Sequence, residues 1–227
     1  NVTGYDLSKL VAGSFGTLVA LTEITLKVLP KKKLSNTITI HIEDKKIINT
    51  LFEKISSSSS EISGAVFIPE EPEDKNYDHN KEQVFKFNDL ESRGSFLALR
   101  IEGDKISIDE KIKALTDELE LDKLNSTILD VHQSTPFWKK INNLELFKAT
   151  KNNLLRVVIP PSKGNKLMQY LGNKYKYYVD WCGSLYWIEV QAKNNNKIKE
   201  IKKLIKELGG YLTIIKTSNE FDYEETI

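Results

Sequence analysis

Apolar residues along the chain change their spacing repeatedly, and each change marks an element. Alternation of period two predicts a strand over 37–42. Ile47, Ile48, Leu51, Phe52 and Ile55 then recur at helical spacing, which predicts a helix over 45–55 with one face turned to a core. The serine run from Ser56 to Ser60 reads as a loop. Strands follow at 62–68 and 96–102, then a helix carrying Ile108, Ile112, Leu115 and Leu119, then a strand at 127–131. Between the two middle strands, residues 69–82 are acidic and polar and predict a surface loop, with a short strand at 84–87 after it.

The same order then returns. Thr135-Pro136 predicts the start of a bridging helix, with threonine as cap and proline in the first position, and Phe137, Trp138, Ile141, Leu144 and Leu146 supply its apolar side. A strand over 154–159 ends at Pro160-Pro161, and a helix over 162–171 ends at Gly172. Strands at 175–180 and 185–190 flank Trp181-Cys182-Gly183, which reads as a hairpin turn. Ile198, Ile201, Leu204, Ile205 and Leu208 mark a long helix between asparagines and Gly209-Gly210, and 211–215 is a last strand. Two β-α-β-β-α-β blocks predict an α+β fold. Duplicated ferredoxin-like units would share one large antiparallel sheet, with helices on one face. The other face is then left to cover something else.

Residues 1–30 follow a different pattern. Asp6 can cap a short helix through Leu7, Leu10 and Val11, and Gly13 can end it. Gly13-Ser14-Phe15-Gly16-Thr17 reads as a tight loop. Ile24, Leu26 and Val28 alternate with Thr25 and Lys27 as in a strand, and Pro30 with the lysines at 31–33 makes a linker. Hydrophobic residues make up 40% and charged residues 29%, as in an ordinary globular chain, so neither a disordered nor a membrane-spanning protein is expected. The formal net charge of +1 gives no field for nucleic acid. Asn1 opens the chain and Met168 is its only methionine, so a fragment or processed product is expected.

Candidate chemistry is sparse. His41, His79 and His132 have no partners at ligand spacing, and no metal site is expected. Cys182 is the only cysteine, which excludes an internal disulfide and a CxxC site and fits a reducing, cytoplasmic setting. No base or cation stands beside it to activate a thiolate. Arg100 and Arg156 occupy similar places in the two blocks. An arginine fork can hold a carboxylate with two parallel bonds, or pair with Glu102 or Glu189 on its own strand face. The lysines between 197 and 206 alternate with glutamate and read as a solvated helix face. Glycines at 13 and 16 permit positive φ and a close backbone approach, and Ser14 and Thr17 add hydroxyls that suit an anionic group.

Three stretches carry a resemblance to a known family. Gly4-Tyr5-Asp6-Leu7, Gly13-Ser14-Phe15-Gly16-Thr17-Leu18 and Thr22-Glu23-Ile24-Thr25-Leu26 resemble the closing motif of the PCMH-type FAD-binding domain of vanillyl-alcohol oxidase type flavoproteins. Within that family the chain is similar to the E-type subunits of glycolate oxidases. Ile62-Ser63-Gly64, Leu99-Arg100-Ile101-Glu102-Gly103, Phe137-Trp138 and Asp180-Trp181-Cys182-Gly183 look like landmarks of their cap region, in the same order. The resemblance implies that residues 1–30 are the C-terminal remnant of an FAD-binding domain. It implies that residues 31–227 are a cap or substrate domain, with halves 31–132 and 133–227. FAD would belong to the complete protein, with Tyr5, Asp6, Gly13, Ser14, Gly16, Thr17 and Leu18 lining or supporting its site. Trp181 would lie near the flavin ring or substrate, joining Arg100 and Arg156 as the candidate catalytic residues. The implied reaction is hydride transfer from the α-carbon of a small 2-hydroxy acid such as glycolate. The implied partners are a flavin-bearing and an iron–sulfur subunit of a cytoplasmic complex, peripheral to the inner membrane through those subunits. Two features depart from the family pattern. Val19-Ala20 stands where the family places a glycine, and neither the N-terminal flavin-binding portion nor the Asn-Pro-Gly tail is visible. The chain by itself is therefore expected to bind FAD poorly or not at all. The alternative expectation is a non-catalytic interaction module.

Overall fold

A computed structural model of the protein describes residues 4, 6–28, 30–70, 72, 94–192 and 194–218. Tyr5, His79, the strand expected at 84–87 and most of the acidic insertion lie outside the described residues. The chain divides into two compact units, Asn1–Lys31 and Lys32–Ile227.

In the first unit the Asp6 carboxylate accepts from the Lys9 N–H at 3.2 Å and starts α1, Leu7–Val11, as its cap chemistry predicts. The helix ends at Ala12, and Gly13 follows at φ +81°. The strand expected across Ile24, Leu26 and Val28 is not formed. A strand exists only where a neighbour takes up its N–H and C=O groups, and these residues have no ladder partner among the described residues.

The second unit contains β1 (Leu34–Ile42), α2 (Ile48–Ser57), β2 (Ile62–Ile68), β3 (Ser95–Gly103), α3 (Lys105–Glu118) and β4 (Ser126–Leu129). It continues with α4 (Val131–Asn142), β5 (Asn153–Val158), α5 (Gly164–Leu171), β6 (Tyr177–Asp180), β7 (Leu185–Val190), α6 (Asn195–Glu207) and β8 (Tyr211–Lys216). The strands form one sheet of order β4-β1-β3-β2-β6-β7-β5-β8. Counted inward from either edge, each half runs fourth, first, third, second. The two halves meet at a narrow seam, where β2 and β6 pair antiparallel at Phe67 and Val179.

Strand side chains alternate between faces. Ile38 and Ile40, Phe67, Leu97 and Leu99, Leu155 and Val157, and Tyr186 and Ile188 all enter one core with α2, α3, α5 and α6. Ile48, Leu51, Phe52 and Ile55 carry α2 into it, and Ile198, Ile201 and Ile205 carry α6. Each such side chain, fully buried, contributes about 1.5–3 kcal/mol.

The expectation of helices on one face needs correction, because α4 packs on the opposite one. Val66, Ile68, Ala98 and Tyr178 form a second core there with Phe137, Trp138 and Ile141 of α4. The start of α4 also differs from expectation. Asp130, not Thr135, is the cap: its carboxylate accepts from the N–H groups of His132 and Gln133, and the Gln133 side chain completes a capping box. Pro136 therefore sits inside the helix and supplies no N–H to its ladder. Buried Ser134, in the turn before it, meets the Thr37 hydroxyl at 2.7 Å, which ties the start of α4 to β1.

Candidate functional site

Two places hold the expected site residues, one in each unit. In the first unit the loop after α1 turns on Gly13, Phe15 and Gly16, with φ of +81°, +51° and +74°. The Thr17 N–H donates to the Ser14 carbonyl at 3.0 Å, and the Thr17 hydroxyl donates to the same oxygen at 2.6 Å. A Cβ at Gly13 or Gly16 would meet nothing within 4 Å, so the glycines serve the backbone conformation and leave the loop surface open. Ser14 is half-buried, and Leu18 is exposed. Asp6 is occupied as the helix cap. Leu10, Phe15, Leu21, Ile24, Leu26 and Val28 are 55–91% exposed, a density of bare apolar side chains that marks a surface made to be covered.

In the second unit the site forms where β6 turns into β7. Trp181 and Cys182 both take φ of +49°, and Gly183 takes +91°. Left-handed backbone at a residue with a Cβ costs about 1–2 kcal/mol, and such strain gathers at functional positions. Here it is held by the Asp180 carboxylate, which accepts from the Trp181 N–H at 2.7 Å, and by the Ser184 N–H on the Trp181 carbonyl at 3.2 Å. Gly183 is also required by space, since a Cβ there would lie 3.2 Å from the Phe52 ring. The turn thereby leaves the Trp181 indole 55% exposed. Cys182 is half-buried, and burial pushes its thiol above the usual value, which disfavours the thiolate form. Burial likewise pushes the Asp180 carboxyl up, opposed by the Trp181 N–H and the nearby Arg100 charge.

A cleft of about 490 Å³ opens beside this turn, lined by Arg100, Trp138, Ser63, Asp180, Trp181 and Cys182 among others. The two arginines differ sharply. Arg100 donates Nε to the Ser63 hydroxyl at 2.9 Å and Nη2 to the Ser63 carbonyl at 2.8 Å. It stands 3.5 Å from Glu102 and stacks 5.0 Å over Trp138. Arg156 stacks 5.5 Å over Trp181 and forms no ion pair among the described residues. Buried Glu189, a possible partner from the sequence, accepts instead from the Thr150 hydroxyl at 2.8 Å and the Asn152 amide at 2.5 Å.

The structure thus brings Arg100 and Trp181 to one cleft and sets Arg156 against Trp181. Asp180, read from the sequence only as part of a turn, is the residue that holds Trp181 in place. His41 lies in β1 and His132 in the first turn of α4, and no cluster able to hold a metal exists among the described residues. Among those residues no helix is long and apolar enough to cross a membrane.

No family model matches the chain. Glycolate oxidase subunit GlcE of Escherichia coli K12 is 26% identical over 214 residues, which is 94% of this chain and 47% of that protein. The chain therefore spans about half the length of that relative. Among solved structures, substrate-bound p-cresol methylhydroxylase aligns over 85% of this chain and 47% of its own, with 13% identity and a TM-score of 0.49. The isoeugenol complex of 4-ethylphenol oxidase from Gulosibacter chungangensis aligns over 72% and 40%, with 10% identity and a TM-score of 0.43. Over nearly all of its length, then, the chain is similar to one part of the glycolate oxidase subunit GlcE, as its opening motif leads one to expect.

Proposed function

We propose that the chain is part of a subunit of an FAD-linked 2-hydroxy-acid oxidase, acting on glycolate or a close analogue. The observation that carries this reading is the similarity to GlcE over 94% of the chain, long enough to take in both the Gly-Ser loop and the Trp181 turn. In this reading residues 1–30 close an FAD-binding domain, and residues 31–227 are its cap. The cap consists of two ferredoxin-like halves, a division supported by the matching strand order on either side of the β2–β6 seam.

The open glycine positions of the loop fit one wall of a flavin site. Gly13, Ser14, Gly16, Thr17 and Leu18 would hold that wall, and the family resemblance adds Tyr5 and Asp6 to the set. FAD, when bound, supplies the hydride acceptor. The chain's own residues would serve the substrate side, with Trp181 excluding water and an arginine beside it holding substrate charge. A flavin-bearing and an iron–sulfur subunit would complete a cytoplasmic complex, peripheral to the inner membrane.

A second reading has its own support. The bare apolar side chains of the first unit and Val19 in place of a family glycine suit a non-catalytic interaction module equally well. Co-expression with the flavin-bearing and iron–sulfur subunits, and with the rest of the parent chain, separates the two. Bound flavin that bleaches anaerobically on adding glycolate, and is lost on Gly16→Trp, supports the oxidase. A stable complex in which this subunit holds no flavin supports the module.

A further inference from the structure

We infer that Arg156, stacked on Trp181, is the seat for a small planar carboxylate, and that Arg100 is a structural clamp. The inference deepens the reading above, since it names the group that would hold a 2-hydroxy acid by its carboxylate end.

The chemistry of the two side chains separates them. A guanidinium recognises a carboxylate through two parallel N–H···O bonds, so its fork must be free to turn toward the ligand. Arg100 has already given Nε and Nη2 to Ser63, stands beside Glu102 and sits over the Trp138 ring. Binding a ligand there would break contacts that join β2, β3 and α4. Arg156 has the opposite character. It is half-buried in β5, on the sheet face away from the main core, and its contact is the exposed ring of Trp181. That contact does not occupy the N–H groups of the guanidinium. Directly across the ladder stand Trp187 on β7 and Thr213 on β8. Opposite residues share a face, so Thr213 and Trp187 flank Arg156 on the same side of the sheet.

The strained turn supplies a second, independent observation. Two left-handed residues and a capping carboxylate hold Trp181 where Arg156 meets it. Four residues, 181–184, join β6 to β7, and a hairpin loop of that length is most often built around a type I turn, which needs no two consecutive left-handed residues. The strain is accounted for if the position of the indole itself matters.

The test uses the 227-residue chain, 15N-labelled, with oxalate and glycolate as probes and ethylene glycol and inorganic phosphate as controls. Indole N–H signals follow the titration, and circular dichroism confirms the fold of each variant. Saturable shifts of the Trp181 indole by oxalate and glycolate are expected, with little response to ethylene glycol. Arg156→Gln should weaken binding at least about tenfold and Arg156→Lys less, because a point charge keeps attraction and loses the fork. Trp181→Leu, followed at the indole of Trp187 opposite Arg156, should weaken binding while leaving the fold intact. Equal binding by Arg156→Gln, or phosphate matching oxalate on the same signal, would overturn the inference, the latter marking an adventitious ion only. No flavin enters this titration, so its failure is distinct from failure of the oxidase reading, which the flavin content of the assembled complex decides.

Discussion

The Trp138 indole N–H on α4 donates to the Thr37 hydroxyl on β1 at 2.9 Å, in a site sealed from water. The same Thr37 oxygen meets Ser134 at 2.7 Å, so one strand hydroxyl anchors two turns of the helix that covers the second sheet face. Trp138 in turn lies under Arg100, and a Cβ on Gly64 would come within 3.1 Å of its ring. Thr37→Val keeps the volume and strands a buried indole N–H. It should cost about 1–3 kcal/mol of stability, read as a lower urea midpoint with an unchanged slope. An unaltered midpoint would mean that α4 is held by packing alone.

Gly183 is required twice, by its φ of +91° and by the Phe52 ring 3.2 Å from where a Cβ would be. Gly183→Ala should destabilise the fold by about 1–3 kcal/mol. Phe52→Leu, which relieves the contact but not the dihedral, should recover only part of that loss when combined with it. A double-mutant cycle in thermal unfolding measures the shared part, and full recovery would assign the whole effect to the ring.

Much of the second unit was legible in the spacing of its residues. The strand over 62–68 has the expected bounds, and the apolar positions of α2, α3 and α6 face the core they predict. The missed features depend on long-range partners. Thr135-Pro136 carries a good start signal, but Asp130 with Gln133 satisfies the N-terminal N–H groups one turn earlier. Ser134 and Thr37 look like surface residues until they are seen to meet each other. The period-two pattern at Ile24, Leu26 and Val28 fits a strand, yet a strand is a property of two chains of hydrogen bonds, and its neighbour is not among the described residues. Arg100 and Arg156 could be shortlisted from their similar places. Only the fold shows that one is tied to Ser63 and the other is open.

Asp180 makes stability depend on pH in an unusual direction. Burial raises its carboxyl above the ordinary value near 3.8, more than the Trp181 N–H and Arg100 lower it. The folded state therefore holds a proton more tightly than the unfolded chain does. The contribution of this group is fully present below the unfolded value and is lost as pH rises through the folded one. Asp180→Asn can still accept from the Trp181 N–H but carries no charge. Wild type should thus lose stability relative to Asp180→Asn as pH is raised from about 3.8. Urea unfolding of both proteins across that range tests the sign, and a wild type that gains stability relative to Asp180→Asn as pH rises would contradict it.

The two units should separate in solution experiments. Strands, helices and both cores of the second unit lie between Leu34 and Lys216, so its core is complete within that span. The first unit has no buried residue in its helix, and its apolar side chains stand open. Packed cores unfold cooperatively, whereas a segment with few buried contacts opens at little cost. A chain beginning at Lys32 should therefore melt at the same midpoint as the full chain and bind less of a hydrophobic dye, because Phe15, Leu26 and Val28 are gone. Native-state hydrogen exchange on the full chain should show fast exchange through residues 6–28 and slow exchange in β3, β5 and β7. A lower melting midpoint for the shortened chain would show that the first unit contributes to the folded core after all.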